Sequence, residues 1–208
     1  SSAVQEELCA ALRQFQPEIA LRVGYFTEDA DYIAELIRQA YYNTPEAALG
    51  MPAATITLYP AQAERGQRIV EIALEYPEER EVLRRRSQTV QNSADNLLSG
   101  LYGVSGRAGA QKLFTLLRER CSPTGAGNST VYDALEEGMA DSEGMALAYQ
   151  LLARRLELEC SVVQGSLDGA PHFWNAVQQS DGSRRHVDAS RDDVLLLTDE
   201  ELTALGYS

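Results

Sequence analysis

The last third of the chain carries side chains of the types, and at the spacing, that an acid–base site needs. His172 opens a strand-like run beside Trp174 and Asn175, and Asp188 closes the next run, just after His186. A histidine oriented by a carboxylate is a general acid/base pair, and it needs a nucleophile within reach. Ser142, in Asp141-Ser142-Glu143-Gly144, starts a helical pattern, where unpaired N–H groups and the helix dipole stabilise an anion. The same serine also suits the capping position of that helix, and His172 taken alone fits a structural hydrogen-bonding role. Asp188, Asp192 and Asp193 read as a solvated acidic turn rather than a calcium loop. Cys160 lies among apolar neighbours and reads as a small buried hydrophobe.

These residues need elements to hold them. Met145, Ala148, Tyr149 and Leu152 predict a helix over 142–156, followed by strand-like runs over 158–164, 172–179 and 184–188. Thr198-Asp199-Glu200-Glu201 is a capping box opening a short helix that Gly206 can end. A helix followed by an antiparallel meander is α+β, not a doubly wound sheet. Upstream, Val4, Leu8, Ala11, Leu12 and Phe15 form one helical stripe, and Ile19, Leu21 and Val23 alternate as a strand. Ile33, Leu36, Ile37, Ala40 and Tyr41 mark an amphipathic helix, then come strand-like runs over 54–59 and 68–76. Pro77 fits the first turn of a long helix toward Leu101, and Leu113, Phe114, Leu116 and Leu117 mark another. The segment CSPTGAGNST over 121–130 is a breaker-rich loop, and no Gly-Lys-Ser/Thr follows to make it a phosphate loop. The reading divides the chain into a mixed helix–strand region over 1–100 and a core domain over 101–208.

Composition narrows the partners. The 208 residues include 31 acidic and 18 basic side chains, a formal net charge of −13. That balance argues against a nucleic-acid partner and against electrostatic docking on anionic membranes. The run Arg84-Arg85-Arg86 reads as a solvated helix face. No apolar run approaches the ~18 residues of a membrane-spanning helix. No basic-then-apolar leader opens the sequence at Ser1, as expected of a cytosolic or already trimmed chain. Cys9, Cys121 and Cys160 form neither a disulfide framework nor a CxxC pair, and no cofactor or metal is implied.

The segment Gly138-Met139-Ala140-Asp141-Ser142-Glu143-Gly144-Met145-Ala146 resembles the Gly-x-Ala-x-Cys-Glu-Gly-Tyr-Ala segment of bacterial transglutaminase-like proteins. The strand from Leu158 to Gly165 resembles the strand that follows it there, His172-Phe173-Trp174-Asn175 resembles His-Ala-Trp-Asn, and His186-Val187-Asp188 resembles His-Val-Asp. The likeness runs over 132–193 in the right order and spacing, and the first half resembles the leader of some such proteins by pattern only. It implies a papain-like fold, a helix packed on an antiparallel sheet, beside the N-terminal mixed α/β region. By the resemblance Ser142 takes the place of the nucleophilic Cys, His172 that of the base and Asp188 that of its orienter, with Trp174 and Asn175 in support. The sequence departs from the family at Ser142, at Arg191 where a Trp is usual, and near 116–120, which lacks the usual His-Asp pair.

A serine hydroxyl is far less acidic than a thiol, so a thiolate–imidazolium pair has no counterpart here, and proton transfer must accompany attack. Asp141 adds negative charge where negative charge would develop. The expectation is a pseudoenzyme, a transglutaminase-like domain serving as a binding or structural module. The alternative is an acyl-transfer enzyme (amide hydrolase, peptidase or transamidase), either weakly active through Ser142 or an engineered Cys-to-Ser form of a thiol enzyme. The resemblance implies a peptide, a protein side-chain amide or a peptidoglycan-like amide as ligand, and it leans toward export or the cell surface.

The site also makes a geometric demand. His172 and Asp188 must share one face of the sheet. A two-residue turn at Asp181-Gly182 would set Asp188 opposite Asn175, facing away from His172. A three-residue loop, Ser180-Asp181-Gly182, sets Asp188 opposite Trp174 and suits a left-handed Gly182. The three-residue loop is therefore expected.

Overall fold

Alternating apolar residues build a sheet in the N-terminal part of the chain. The computed structural model describes residues 2–24, 29–60 and 67–208, and the chain divides into two units, Ser1–Arg86 and Ser87–Ser208. In the first unit, β1 (Glu18–Gly24), β2 (Ala53–Leu58) and β3 (Gln67–Glu75) pair antiparallel in the order β1-β3-β2. Leu21, Val23, Val70, Ile72 and Leu74 are buried while their strand neighbours are not, so one sheet face is covered. Helices α1 (Ser2–Arg13) and α2 (Ala30–Tyr42) supply apolar partners, and all five stripe residues of α2 are buried. Asp29 caps α2 by accepting the Tyr32 N–H at 2.7 Å.

Helix α3 (Arg80–Leu97) runs through the boundary between the units. It starts three residues beyond Pro77, which was expected in its first turn. Pro77 instead closes over Gly50, where a Cβ would stand 2.7 Å from the proline ring. The helix also stops short of Leu101.

The second unit follows the expected helix-then-meander order. Helix α4 (Gly106–Arg120) leads to a two-residue parallel pair, β4 (Ser122–Pro123) with β5 (Met139–Ala140), so the loop over 121–130 contains a strand fragment the sequence did not suggest. Then come α5 (Ser142–Arg155) and a four-stranded antiparallel sheet, β6 (Cys160–Leu167), β7 (Ala170–Gln178), β8 (Arg184–Val187) and β9 (Leu195–Leu197). Helix α6 (Asp199–Ala204) ends the chain's regular structure. The architecture of this unit is α+β, with a helix packed on an antiparallel sheet. Strand β9 was not anticipated: three residues with a register shift between His186 and Val187 are too few to show alternation.

Helix α5 is the buried axis of this unit. Every residue over 144–153 is buried, the polar Gln150 among them, so the helix is covered on all sides. On one side the Tyr149 hydroxyl donates to Ala110 O in α4 at 2.8 Å, and on the other Asn175 Nδ2 donates to Ala146 O at 2.9 Å. Both bonds are buried, so each holds α5 at a fixed height against its neighbour. Gly144 lets the first turn close on the preceding loop, since a Cβ there would lie 2.8 Å from the Ala140 side chain and 2.9 Å from Asn128 O.

The opposite face of the sheet carries a second cluster, Trp174, Val194, Leu202 and Tyr207, with Val163, Leu167 and Leu197 against it. Helix α6 closes this cluster and is held by its capping box, Thr198 Oγ1 accepting the Glu201 N–H and Glu201 accepting the Thr198 N–H, each at 3.1 Å. Beyond α6, Ser208 and Ser166 exchange backbone bonds of 2.8 and 2.9 Å, so the last residues add to the edge of β6. Gly165 makes this approach feasible, because a Cβ there would stand 2.4 Å from the Trp174 ring and 2.5 Å from Ser208 O. Gly165→Val is therefore expected to cost about 2 kcal/mol by overpacking. Urea denaturation measures it, and a loss below about 0.5 kcal/mol would show that the indole and the tail do not depend on this position.

Candidate active site

The geometry begins at the first turn of α5. Asp141 is the cap of this helix: its carboxylate accepts the Gly144 N–H at 3.0 Å and the Ser129 hydroxyl, and its own N–H donates to Asn128 O at 3.1 Å. The capping role considered for Ser142 therefore belongs to its neighbour. Ser142 is the first helical residue, and its side chain is turned to β7, where Oγ accepts the Phe173 N–H at 3.2 Å. That N–H faces the β8 side of β7 at a point beyond the last paired residue of β8, so no strand competes for it. The peptide group joining His172 to Phe173 thus lies against Ser142. Among the described residues, no hydrogen bond joins Ser142 to His172 itself.

The hairpin between β7 and β8 sets the face. Asn175 pairs with Val187, and the loop is Ser180-Asp181-Gly182, closed by the Gln179 N–H donating to Ser183 O at 2.7 Å. Gly182 is left-handed, with φ +86°. This is the register of the three-residue loop, and it carries Asp188 to the face of His172 and Trp174.

His172 Nε2 lies 2.7 Å from Asp188 Oδ2, with the imidazole 17% exposed and the carboxylate 2%. Asp188 is also held from two further directions. The Ser190 N–H and hydroxyl donate to Oδ1 at 3.0 and 2.5 Å, and the Tyr207 hydroxyl donates to Oδ2 at 2.5 Å. Burial by itself would raise the pKa of Asp188. The bonds from His172, Ser190 and Tyr207 together outweigh it and hold the carboxyl below its ordinary range. Tyr207 moves the opposite way: burial, then the bond to Asp188, raise its hydroxyl well above the usual phenol range.

The other anticipated residues serve both faces of the sheet. Trp174 lies with its indole N–H donating to His186 Nδ1 at 3.1 Å, and its ring meets that of Tyr207 edge-on at 5.1 Å. Asn175, wholly buried on the other face, joins β7 to Ala146 O of α5 and to Ser161 O of β6. Arg191 sits 5.9 Å above the Tyr207 ring and pairs with Asp193 at 3.3 Å. Cys160 is buried at the start of β6, and burial pushes its thiol up to about 12; Cys121 is pushed up to about 11 for the same cause.

Tyr207, Ser190 and Asp199 belong to this arrangement and were not singled out from the sequence. Ser190 had a local signal, since Asp-x-Ser is the pattern of a side chain bonding two residues on. Tyr207 had none, because its partner is distant in sequence and is reached only after the tail folds back.

No protein-family model matches the chain, and no curated protein does. Among solved structures, a TGase has 12% identity and a TM-score of 0.45 over 85% of this chain and 51% of that protein, so the chain spans about half its length. A candidate cysteine protease from Cytophaga hutchinsonii gives 12% identity and a TM-score of 0.43, over 92% of this chain and 68% of that one. A candidate protease from Parabacteroides distasonis gives 9% and 0.36, over 87% and 44%. Likenesses this remote say nothing of the site's chemistry, which rests on the geometry above.

The Asp188 network has a pH signature. A carboxyl held below its ordinary value stabilises the fold fully above the unfolded value of about 3.9, and that contribution is lost as pH falls through the folded value. Unfolding free energy should therefore fall more steeply below about pH 4 in the wild type than in Asp188→Asn. Urea titrations at several pH values decide this, and parallel slopes would show that Asp188 is not held as described.

Proposed function

We propose that this domain is a transglutaminase-like module that has kept the scaffold of an acyl-transfer site without its chemistry, and that it binds an amide-bearing ligand or serves structurally. The supporting observation is the state of Ser142: its Oγ accepts a backbone N–H from Phe173 and has no hydrogen bond to His172. A serine nucleophile is inert until a base takes its proton, and the base must reach it to do so. In this reading Ser142 marks the nucleophile position, His172 the base and Asp188 its orienter, while Trp174 and Asn175 support them.

Two further features favour a non-catalytic role. The Asp141 carboxylate takes up the first-turn N–H of Gly144, so the positive end of α5 already faces a negative charge. An oxyanion forming at Ser142 would meet that carboxylate as a repulsive neighbour. The second feature is Tyr207, which shares Asp188 Oδ2 with His172. A carboxylate oxygen that also accepts a hydroxyl hydrogen bond is less basic toward His172 and gives less support to an imidazolium.

A second reading keeps catalysis. The 2.7 Å contact between His172 Nε2 and Asp188 leaves Nδ1 as the ring nitrogen that can act as a base. In that reading the domain is an amide hydrolase, peptidase or transamidase, acting weakly through Ser142 or standing for a thiol enzyme with serine in place of cysteine. Peptides, protein side-chain amides and peptidoglycan-like amides are its candidate ligands, at the cell surface or outside it.

Ser142→Cys separates the readings. The introduced thiol should react with iodoacetamide at neutral pH about tenfold faster than Cys121 or Cys160, and His172→Ala in that background should remove the gain. The wild type should not turn over glutamine- or peptide-amide substrates. Turnover by the wild type would establish the catalytic reading, and a slow thiol in Ser142→Cys would leave only a binding role.

A further inference from the structure

The chain contains one tryptophan and two histidines, and the fold brings all three together. The indole of Trp174 lies between the imidazoles, 6.4 Å from each ring centroid, stacked with His172 at 27° and inclined to His186 at 61°. Each histidine has a carboxylate beyond it: Asp188 behind His172 at 2.7 Å, and Asp199 behind His186 at 2.5 Å. The proton count on the His186 side follows from donor chemistry. An indole N–H can only donate, so His186 Nδ1, 3.1 Å away, accepts and carries no hydrogen. Its single proton therefore sits on Nε2 and points to Asp199 Oδ1. Trp174 and His186 are both buried, 4% and 6% exposed, whereas the Asp199 side chain is 84% exposed.

We propose that His186 is a positioning residue for His172: neutral, it holds the Trp174 indole beside the His172 ring, and when protonated it releases that hold. This rests on the reading of Ser142, His172 and Asp188 as one site. A second proton on His186 must go to Nδ1, which then faces the indole N–H donor to donor. Among the described residues neither group has another hydrogen-bond acceptor there, so the indole must move. It cannot move alone. Its ring is packed over Gly165, where a Cβ would come within 2.4 Å, and against the Tyr207 ring at 5.1 Å. Tyr207 in turn donates to Asp188, so a shift of the indole reaches both members of the His172–Asp188 pair.

The charges around His186 are few and placed to act on it. From β7 it meets Trp174 and Ala176, and from β9 Leu197, none of them ionisable. From α6 it meets Asp199. On its own strand Arg184 acts on Asp199, and Arg185 lies 3.9 Å from Glu201. Beyond the indole stand His172, Asp188 and Tyr207.

His186→Asn is the decisive variant, because its side-chain oxygen keeps an acceptor near the place of Nδ1 and does not titrate. With one tryptophan and two histidines, nuclear magnetic resonance gives one indole N–H signal and two imidazole Cε1–H signals to follow between about pH 5 and 8. In the wild type the indole signal should shift in step with His186, and the His172 curve should bend at the same pH. His186→Asn should lose both effects while keeping the high-pH position of the indole signal, and His186→Leu should displace that signal at every pH. A His172 curve unchanged in His186→Asn, an indole signal blind to His186, or a His186 that stays neutral across the range would overturn the proposal. These readouts need no chemistry at Ser142. Coupled histidines with an unreactive Ser142→Cys would sink the functional reading alone, and a reactive Ser142→Cys with uncoupled histidines would sink this inference alone.

Discussion

A carboxylate that is 2% exposed has to be satisfied by donors, and in this protein that demand draws distant segments together. Asp188 takes one donor from β7, two from the loop after β8 and one from the chain's last residues. Each partner is fixed by other means as well. His172 is placed by the ladder of β7, Ser190 by the turn it makes with Asp188 itself, and Tyr207 by the pairing of Ser208 with Ser166. Removing one donor would leave the others against an under-satisfied buried charge, which is a larger loss than the bond alone. The sheet, the loop and the tail are therefore interdependent through one side chain.

A similar economy governs the start of α5. The first turn of a helix offers unpaired N–H groups and a partial positive charge, and a cap and an oxyanion compete for them. Here Asp141 has taken the cap, bonded to Gly144 and Ser129, and Ser142 has been turned to the backbone of β7. The helix is well capped and well buried as a result. The same arrangement gives up the electrostatic advantage that a nucleophile at this position would use. The formal net charge of −13 has one of its local expressions here.

Much of this was legible in the sequence, and the limits have physical causes. Helix α5, strands β6 to β8 and the capping box of α6 declare themselves through periodicity and local chemistry, which a single segment carries by itself. The loop between β7 and β8 was expected from the demand that His172 and Asp188 share a face, because a strand's side chains alternate strictly, while Gly182 would suit a left-handed position in either loop. What escaped was whatever depends on partners far apart in sequence. Strand β9 is too short to show a period, and Pro77 was placed in a helix because nothing local announces its contact with Gly50. Ser142 looked like a cap because serine is a good one. The choice between it and Asp141 was settled by the loop over 128–130, which meets the carboxylate of Asp141 and leaves the serine hydroxyl to Phe173.

The persistence of an ordered His172–Asp188 pair does not by itself argue for catalysis. In a site maintained only for chemistry, loss of the nucleophile would free the base and its orienter to drift, since nothing else would need them. Here the pair also fills a structural need. Asp188 anchors the turn through Ser190 and the tail through Tyr207, and His172 supplies a donor that this buried carboxylate requires. Replacing a single member of a buried, hydrogen-bonded charge network costs on the order of 3–5 kcal/mol, a large part of a domain's whole stability. Folding alone is then sufficient to hold the geometry of the pair in place. The residue free of that constraint is Ser142, whose hydroxyl only accepts the Phe173 N–H.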